Sequence, residues 1–278
     1  MSEHLQLTIV IDDDLQEYLI ADLFDMDFEG FEQLDNKLIA TIPAARFDDM
    51  KREELERILI SYGQNFLIEK EEILGEQNWN EEWEKTIQPQ QIGDFYVHPT
   101  WSSSESTEGL TDLIIDPKLA FGTGYHPTTR LILKLLPGFI EEGDKVLDAG
   151  TGTGILGIAA LKIGASEVLG FDIDEWSRTN ATENILLNEV ENFEVKLGSV
   201  ETIPQDEEYD LILANINRNA LTEMIPDLLE HLKSNGYLIL SGLLKEDEEY
   251  IKKLDALADL SLLVTKSEDE WIAMAYRT

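Results

Sequence analysis

The sequence predicts an α/β protein in two parts: a small βαββαβ domain over residues 1–74, and a larger domain over 91–278. The larger one is built on a doubly wound, mostly parallel sheet with an antiparallel hairpin at one edge. Three observations carry this. Strand-like and helix-like segments alternate from about residue 117 to 257. A strand runs straight into alternating glycines and then a helix at Val146–Ile155. Two helical patterns sit among four short apolar runs within the first 74 residues.

In chain order, Gln6–Ile11 is a strand, and Asp12, Asp13 or Asp14 caps a helix whose apolar positions Leu15, Leu19, Ile20 and Leu23 recur at helical spacing. Phe28–Leu34 and Lys37–Ile42 are strands joined by the two-residue turn Asp35-Asn36. Asp48 opens a helix through about Tyr62 with Met50, Leu55, Ile58 and Leu59 along one face; Gly63 ends it, and Phe66–Ile73 is a last strand. This βαββαβ order is the ferredoxin-like arrangement, which hosts many functions. Residues 75–90 read as a linker carrying Trp79 and Trp83 four apart on a short acidic helix, ended by Pro89. Phe95–His98 and Leu113–Ile115 are β-like, with a polar loop at Ser102–Thr107 between them. Strands then follow at Lys145–Ala149, Val168–Asp172, Phe193–Leu197, Leu211–Ala214 and Tyr237–Ser241. Helices are expected at Ile155–Ile163, Trp176–Leu187, Asn219–Leu232 and Glu246–Leu257. Leu260–Thr265 and Trp271–Tyr276, separated by a short polar tract, form the edge hairpin.

The chain carries 57 acidic and 21 basic side chains, a formal net charge of -36, with 43% hydrophobic residues and no cysteine. Disulfides, thiolate nucleophiles and cysteine zinc sites are excluded, and the four histidines show no metal-ligand spacing. Such acidity opposes direct nucleic-acid binding, which runs on Lys and Arg, and favours basic protein partners. No stretch approaches the roughly 18–20 apolar residues of a membrane span. The N-terminus lacks the basic start of a signal peptide, so a cytoplasmic location is expected.

The chemistry concentrates at Asp148-Ala149-Gly150-Thr151-Gly152-Thr153-Gly154. Bare backbone at the mouth of a sheet lets a ligand approach closely. Asp172 ends the next strand, 22 residues after Gly150, where a carboxylate can accept from both hydroxyls of a ribose; helix capping is the alternative role for it or for Asp174. The glycine spacing is G-x-G-x-G and not the G-x-G-x-x-G of dinucleotide sites, so an NAD-dependent oxidoreductase lacks its motif. There is no G-x-S-x-G nucleophile turn.

Asp148–Gly154 with Asp172 resembles motifs I and II of the Rossmann-like, class I S-adenosylmethionine-dependent methyltransferases. Ala120-Phe121-Gly122-Thr123-Gly124-Tyr125-His126-Pro127-Thr128-Thr129, the strand end Ala214-Asn215-Ile216, the Trp79/Trp83 linker and the Glu270-Trp271 strand are more specific. Together they resemble, end to end, the bacterial methyltransferases that modify large-subunit ribosomal protein eleven. The resemblance implies that Gly150 and Gly152 cradle the methionine part of S-adenosyl-L-methionine, Asp172 holds its ribose, and Thr129, Phe121 and Gly122 contact the cofactor. Asn215 would stand beside the transferring methyl and orient the acceptor. It implies a protein N-methyltransferase acting on lysine ε-amino and N-terminal α-amino groups, with catalysis in 91–278; reaching several amines from one pocket requires the substrate to be held, so residues 1–74 are expected to grip it, free or on the ribosome.

Asn215-Ile216-Asn217-Arg218 departs from the N-P-P-Y motif of amide and adenine methyltransferases, which leaves an amine as the better acceptor. Either Ser199 or Glu201 could reach the adenine, and His126 could be a base or a loop-shaping side chain. An RNA methyltransferase and an idle cofactor-binding adaptor are the competing readings. Residues 1–90 hold 23 acidic and 7 basic side chains, against 34 and 14 in the remaining 188. The denser negative charge thus lies on the segment assigned to substrate capture.

Overall fold

The computed structural model describes residues 4–62, 67–74, 87–102, 108–118 and 120–278. The chain gathers into two compact units, Met1–Glu82 and Trp83–Thr278. Trp79 and Trp83, Gly63 and Phe66, and most of the Ser102–Thr107 loop lie outside the described residues.

In the first unit, β1 (His4–Val10), α1 (Asp13–Asp25), β2 (Gly30–Leu34), β3 (Lys37–Pro43), α2 (Asp49–Ser61) and β4 (Leu67–Leu74) form an antiparallel sheet in the order β2-β3-β1-β4, the ferredoxin-like arrangement. The period-two alternation of β1 and β3 buries Leu5, Leu7, Ile9, Leu38, Ala40 and Ile42 on one face. Leu19 and Leu23 of α1 and Leu55 and Leu59 of α2 cover that face. The Asp35-Asn36 turn puts Asn36 at φ 55°, a conformation asparagine tolerates. Asp48 caps α2 by accepting from the Lys51 N–H at 2.9 Å. Met50 is not on the packed face: it is 77% exposed. It precedes Leu55 by five residues, about 140° around a helix from the 55/59 stripe.

The second unit opens with a three-stranded sheet of β5 (Gln90–Ile92), β6 (Phe95–His98) and β7 (Thr111–Ile114). Then come α3 (Pro127–Leu135), β8 (Lys145–Ala149), α4 (Ile155–Lys162), β9 (Glu167–Asp172), α5 (Glu175–Leu187), β10 (Phe193–Leu197), β11 (Tyr209–Asn215), α6 (Arg218–Glu230), β12 (Leu232–Leu244), α7 (Glu248–Ile251), β13 (Ser261–Glu268) and β14 (Trp271–Arg277). Their sheet has the order β10-β9-β8-β11-β12-β14-β13. The first five of these strands are parallel, and β14 is antiparallel to both β12 and β13. This is the Rossmann-like sheet with its edge hairpin. Apolar runs bury both faces: Val146, Leu211, Leu213 and Ile239 on one side, Leu147, Ile212, Leu238 and Leu240 on the other. From β8 the chain steps outward through β9 and β10, then returns to place β11 on the other side of β8. That reversal opens a crevice at the carboxyl ends of β8 and β11, where ligands bind in such sheets.

Two elements differ from expectation. The helix expected at Glu246–Leu257 is broken into the four-residue α7 between two short 3₁₀ turns, with Leu254 extended at ψ 125°. Its apolar residues Ile251, Leu254 and Leu257 recur every three positions, so a continuous α-helix would carry them off the core face. Strand β12 begins five residues before Tyr237 and absorbs Asn235 at φ 65°, where its register on β11 shifts.

Candidate functional site

The crevice holds a cavity of about 380 Å³ at the carboxyl ends of β8, β9 and β11. Of the candidate site residues named from the sequence, Phe121, His126, Gly150, Gly152, Asp172 and Asn215 line it. Thr129 stands behind Asn215, and Gly122 lies behind the glycine loop.

The loop is shaped by backbone that only glycine supports. Gly150 and Gly152 have φ of 71° and 54°; a Cβ on Gly150 would stand 2.3 Å from Ile216 Cγ2, and one on Gly152 2.2 Å from the Phe121 carbonyl oxygen. The Phe121-Gly122 segment is laced onto the loop by Thr153, whose N–H donates to the Phe121 carbonyl at 2.8 Å and whose hydroxyl donates to that of Gly122 at 2.6 Å. Asp172 Oδ2 accepts the Gly152 N–H and its Oδ1 accepts the Asp174 N–H, both at 3.0 Å. Asp174 is the residue that caps α5, accepting from the Trp176 N–H at 3.1 Å. Asp172 therefore fixes the loop and still has acceptor capacity for a ligand.

Beneath the loop, Asp148 is fully buried. Its Oδ2 accepts from the Thr151 hydroxyl at 2.7 Å and the Gly157 N–H at 3.2 Å, while Oδ1 has no partner among the described residues. Burial pushes its carboxyl up to about 6, opposed by the bonds from Thr151 and Gly157 and reinforced by the charge of Asp172.

Asn215 ends β11 with 8% exposure. Its Nδ2 donates to Thr129 Oγ1 at 3.3 Å, and its Oδ1 is buried with no hydrogen-bond partner among the described residues. An unmatched buried acceptor at a cavity wall is costly unless a ligand supplies the donor.

The opposite wall is aromatic and apolar: His126, Ile216 and Trp271, which stand in the segments that carry the resemblance, converge with Ile173, Met224 and Gly242, which the sequence reading did not single out. His126 caps α3, its Nδ1 2.8 Å from the Thr128 hydroxyl and accepting from the Thr128 N–H at 3.4 Å; Pro127 follows at the first helical position. Its ring lies 4.6 Å from Trp271 and 5.2 Å from Phe121. Burial, with Arg130 nearby, lowers its pKa against the opposing charge of Glu270. This favours the neutral imidazole, whose Nδ1 is engaged at the start of α3. Ser199 and Glu201 are not part of the cavity lining; the Glu201 carboxylate accepts the Ser199 N–H at 2.9 Å. For the residues not singled out, the one sequence signal was Gly242, isolated within an apolar strand, a pattern that marks a bulge or close approach. The β12–β14 register shifts there.

Residues 4–278 match the family model described as ribosomal protein L11 methyltransferase. The ribosomal protein L11 methyltransferase of Chlorobaculum parvum is 36% identical over 275 residues, 97% of this chain and 95% of that relative. The protein of the same name from Porphyromonas gingivalis is 36% identical over 266 residues, 93% and 89% of the two chains. Among solved structures, a ribosomal protein L11 methylase from Lactobacillus delbrueckii subsp. bulgaricus superposes with a TM-score of 0.63 at 31% identity, covering 68% of this chain and 98% of that one.

Proposed function

The chain belongs to the ribosomal protein L11 methyltransferase family, and from that premise we propose that it moves methyl groups from S-adenosyl-L-methionine onto amines of ribosomal protein L11, both lysine ε-amino groups and the N-terminal α-amino group. One observation carries the reading: the buried, unpartnered Asn215 Oδ1 at the wall of a cavity whose other side is a glycine cradle.

The residues present fit the cofactor. Side chains at positions 150 and 152 would collide with Ile216 and Phe121, so this backbone is kept bare, and Asp172 retains lone pairs for ribose hydroxyls. In this reading Gly150 and Gly152 hold the methionine part, Asp172 the ribose, and Phe121, Gly122 and Thr129 complete the shell beside Asn215. The bound cofactor supplies a methyl group on a sulfonium, suited to direct in-line displacement without a covalent enzyme intermediate.

The protein's own work is position and protonation state. Asn215 Oδ1 accepts an N–H of the incoming amine and so aims its lone pair; a neutral amide cannot act as its base. The amine must be unprotonated to attack. An α-amino group, near 7.7–8.0, is partly so at neutral pH, whereas a lysine near 10.4 is not. Ile173, Ile216, Met224 and Trp271 give the cavity an apolar wall that disfavours the ammonium form. Residues 1–74 hold the substrate, and the linker 75–90 lets the catalytic part, 91–278, reach amines at separate places. Action in the cytoplasm goes with this reading.

The test is Asn215→Ala. Turnover is expected to fall by about two orders of magnitude, as when one oriented polar contact to the reacting group is removed, with S-adenosylhomocysteine still bound in calorimetry. Unchanged turnover with intact cofactor binding would overturn the assignment.

A further inference from the structure

At the opposite ends of the same strands lies a second cavity, of about 520 Å³, lined by the first residues of β9, β10 and β11 and the turn before β11. Strand β9 is shared by the two: Glu167, Val168 and Leu169 line this cavity, and Phe171 and Asp172 line the cofactor crevice.

Its lining combines two chemistries. Leu169 and Pro204, beside the Tyr209 ring, give it an apolar side, and Glu167, Glu194 and Glu207 line it with them; the Val168 and Phe193 side chains turn to the other face of the sheet and bring mainly backbone. Lys145 is shared between Glu167 at 3.3 Å and Glu207 at 3.1 Å. Lys196 spends its shorter contact, 3.1 Å, on the Thr202 carbonyl and stands 3.8 Å from Glu194. Three carboxylates thus face two ammoniums, both already engaged, and the lining keeps a negative excess.

An independent observation is Tyr209. The residue is 2% exposed, yet its hydroxyl has no hydrogen-bond partner among the described residues and is not sealed from solvent; it opens into this cavity. The phenol stays protonated because burial, and then the charges of Glu207, Glu167 and Glu194, raise its pKa. Among the described residues, no group of three or more His, Asp or Glu is arranged to hold a metal ion.

We propose that this cavity binds an organic cation on an alkyl stem, a lysine- or arginine-type side chain or a free diamine. The stem lies against Leu169 and Pro204, and the cationic head sits between Glu194, Glu207 and the Tyr209 hydroxyl. Long cationic side chains bury their methylenes and keep the charge at a polar rim in this way. The site does not depend on the methyltransferase reading, although a basic protein substrate would be one source of the cation.

Cadaverine is titrated into the full chain by calorimetry in low salt, in the presence of S-adenosylhomocysteine so that the cofactor crevice is occupied. Saturable binding is expected, weakened about fivefold by Glu194→Gln and by Tyr209→Phe, each the effect of one partly screened polar contact. S-adenosylhomocysteine affinity and the unfolding midpoint are read on the same variants and should not move. KM for ribosomal protein L11 separates the sources: a rise in Glu194→Gln with kcat unchanged assigns the cation to the protein substrate, and an unchanged KM beside saturable cadaverine binding assigns it to a free diamine. Absence of saturable binding, or binding indifferent to both substitutions, would overturn the proposal.

Discussion

Gly152→Ala is the sharpest perturbation of the cofactor loop. A Cβ there would stand 2.2 Å from the Phe121 carbonyl oxygen, against 3.4 Å for ordinary contact, so that carbonyl must retreat by about 1.2 Å. The same oxygen accepts from the Thr153 N–H at 2.8 Å, and the next carbonyl accepts from the Thr153 hydroxyl at 2.6 Å. A retreat of that size breaks the first bond and strains the second, about 1 kcal/mol each. Holding alanine at φ 54° adds roughly 1–2 kcal/mol. The expected loss is therefore about 3 kcal/mol in urea unfolding. The displaced Phe121 also forms part of the cavity wall, so S-adenosylhomocysteine affinity should fall at least tenfold in calorimetry, as a loss of about 1.4 kcal/mol or more. Gly138→Ala is the control: nothing lies within 4 Å of the added carbon, and its effect should stay within about 0.5 kcal/mol. Gly152→Ala with wild-type unfolding and wild-type affinity would refute the loop geometry.

Asp148→Asn tests the buried carboxyl. Its folded pKa of about 6 lies above the ordinary 3.8, so the folded chain holds this proton more tightly than the unfolded one. The contribution is full below the unfolded value and lost as pH rises through about 6, a difference of about 3 kcal/mol. The asparagine variant should gain on wild type by that order between about pH 4 and pH 7 in urea unfolding; parallel stability curves would contradict it. Deleting residues 1–74 should abolish methylation of intact ribosomal protein L11 while S-adenosylhomocysteine still binds; undiminished methylation would remove the capture role from that segment. KM for the substrate should rise with ionic strength, because the first 90 residues carry 23 acidic against 7 basic side chains. A KM indifferent to salt would locate recognition elsewhere.

Local rules made much of the architecture legible. The period-two burial of β1 and β3, the Asp48 and Asp174 caps, and the strand–glycine–helix junction are each decided by residues within a few positions of one another. So were the glycine loop and Asp172, because adjacent parallel strands bring Asp172 to the loop by a fixed step. Local spacing could not show how the rest of the cavity assembles. His126, Ile216, Gly242 and Trp271 meet there only because β11, β12 and β14 are neighbours in the sheet and α3 packs on them. The broken helix after β12 misled because apolar spacing of three still resembles an amphipathic helix over two turns. Met50 was grouped on one helix face with Leu55, Ile58 and Leu59, although its angular position on α2 turns it outward.

The central claim is tested most directly by intact-mass analysis of purified ribosomal protein L11 after incubation with the enzyme and S-adenosyl-L-methionine. A rise in whole methyl steps is expected, with the added groups mapping by fragmentation to lysine side chains and the N-terminal amine. No mass change in the protein, with methyl incorporated instead into ribosomal RNA, would contradict it.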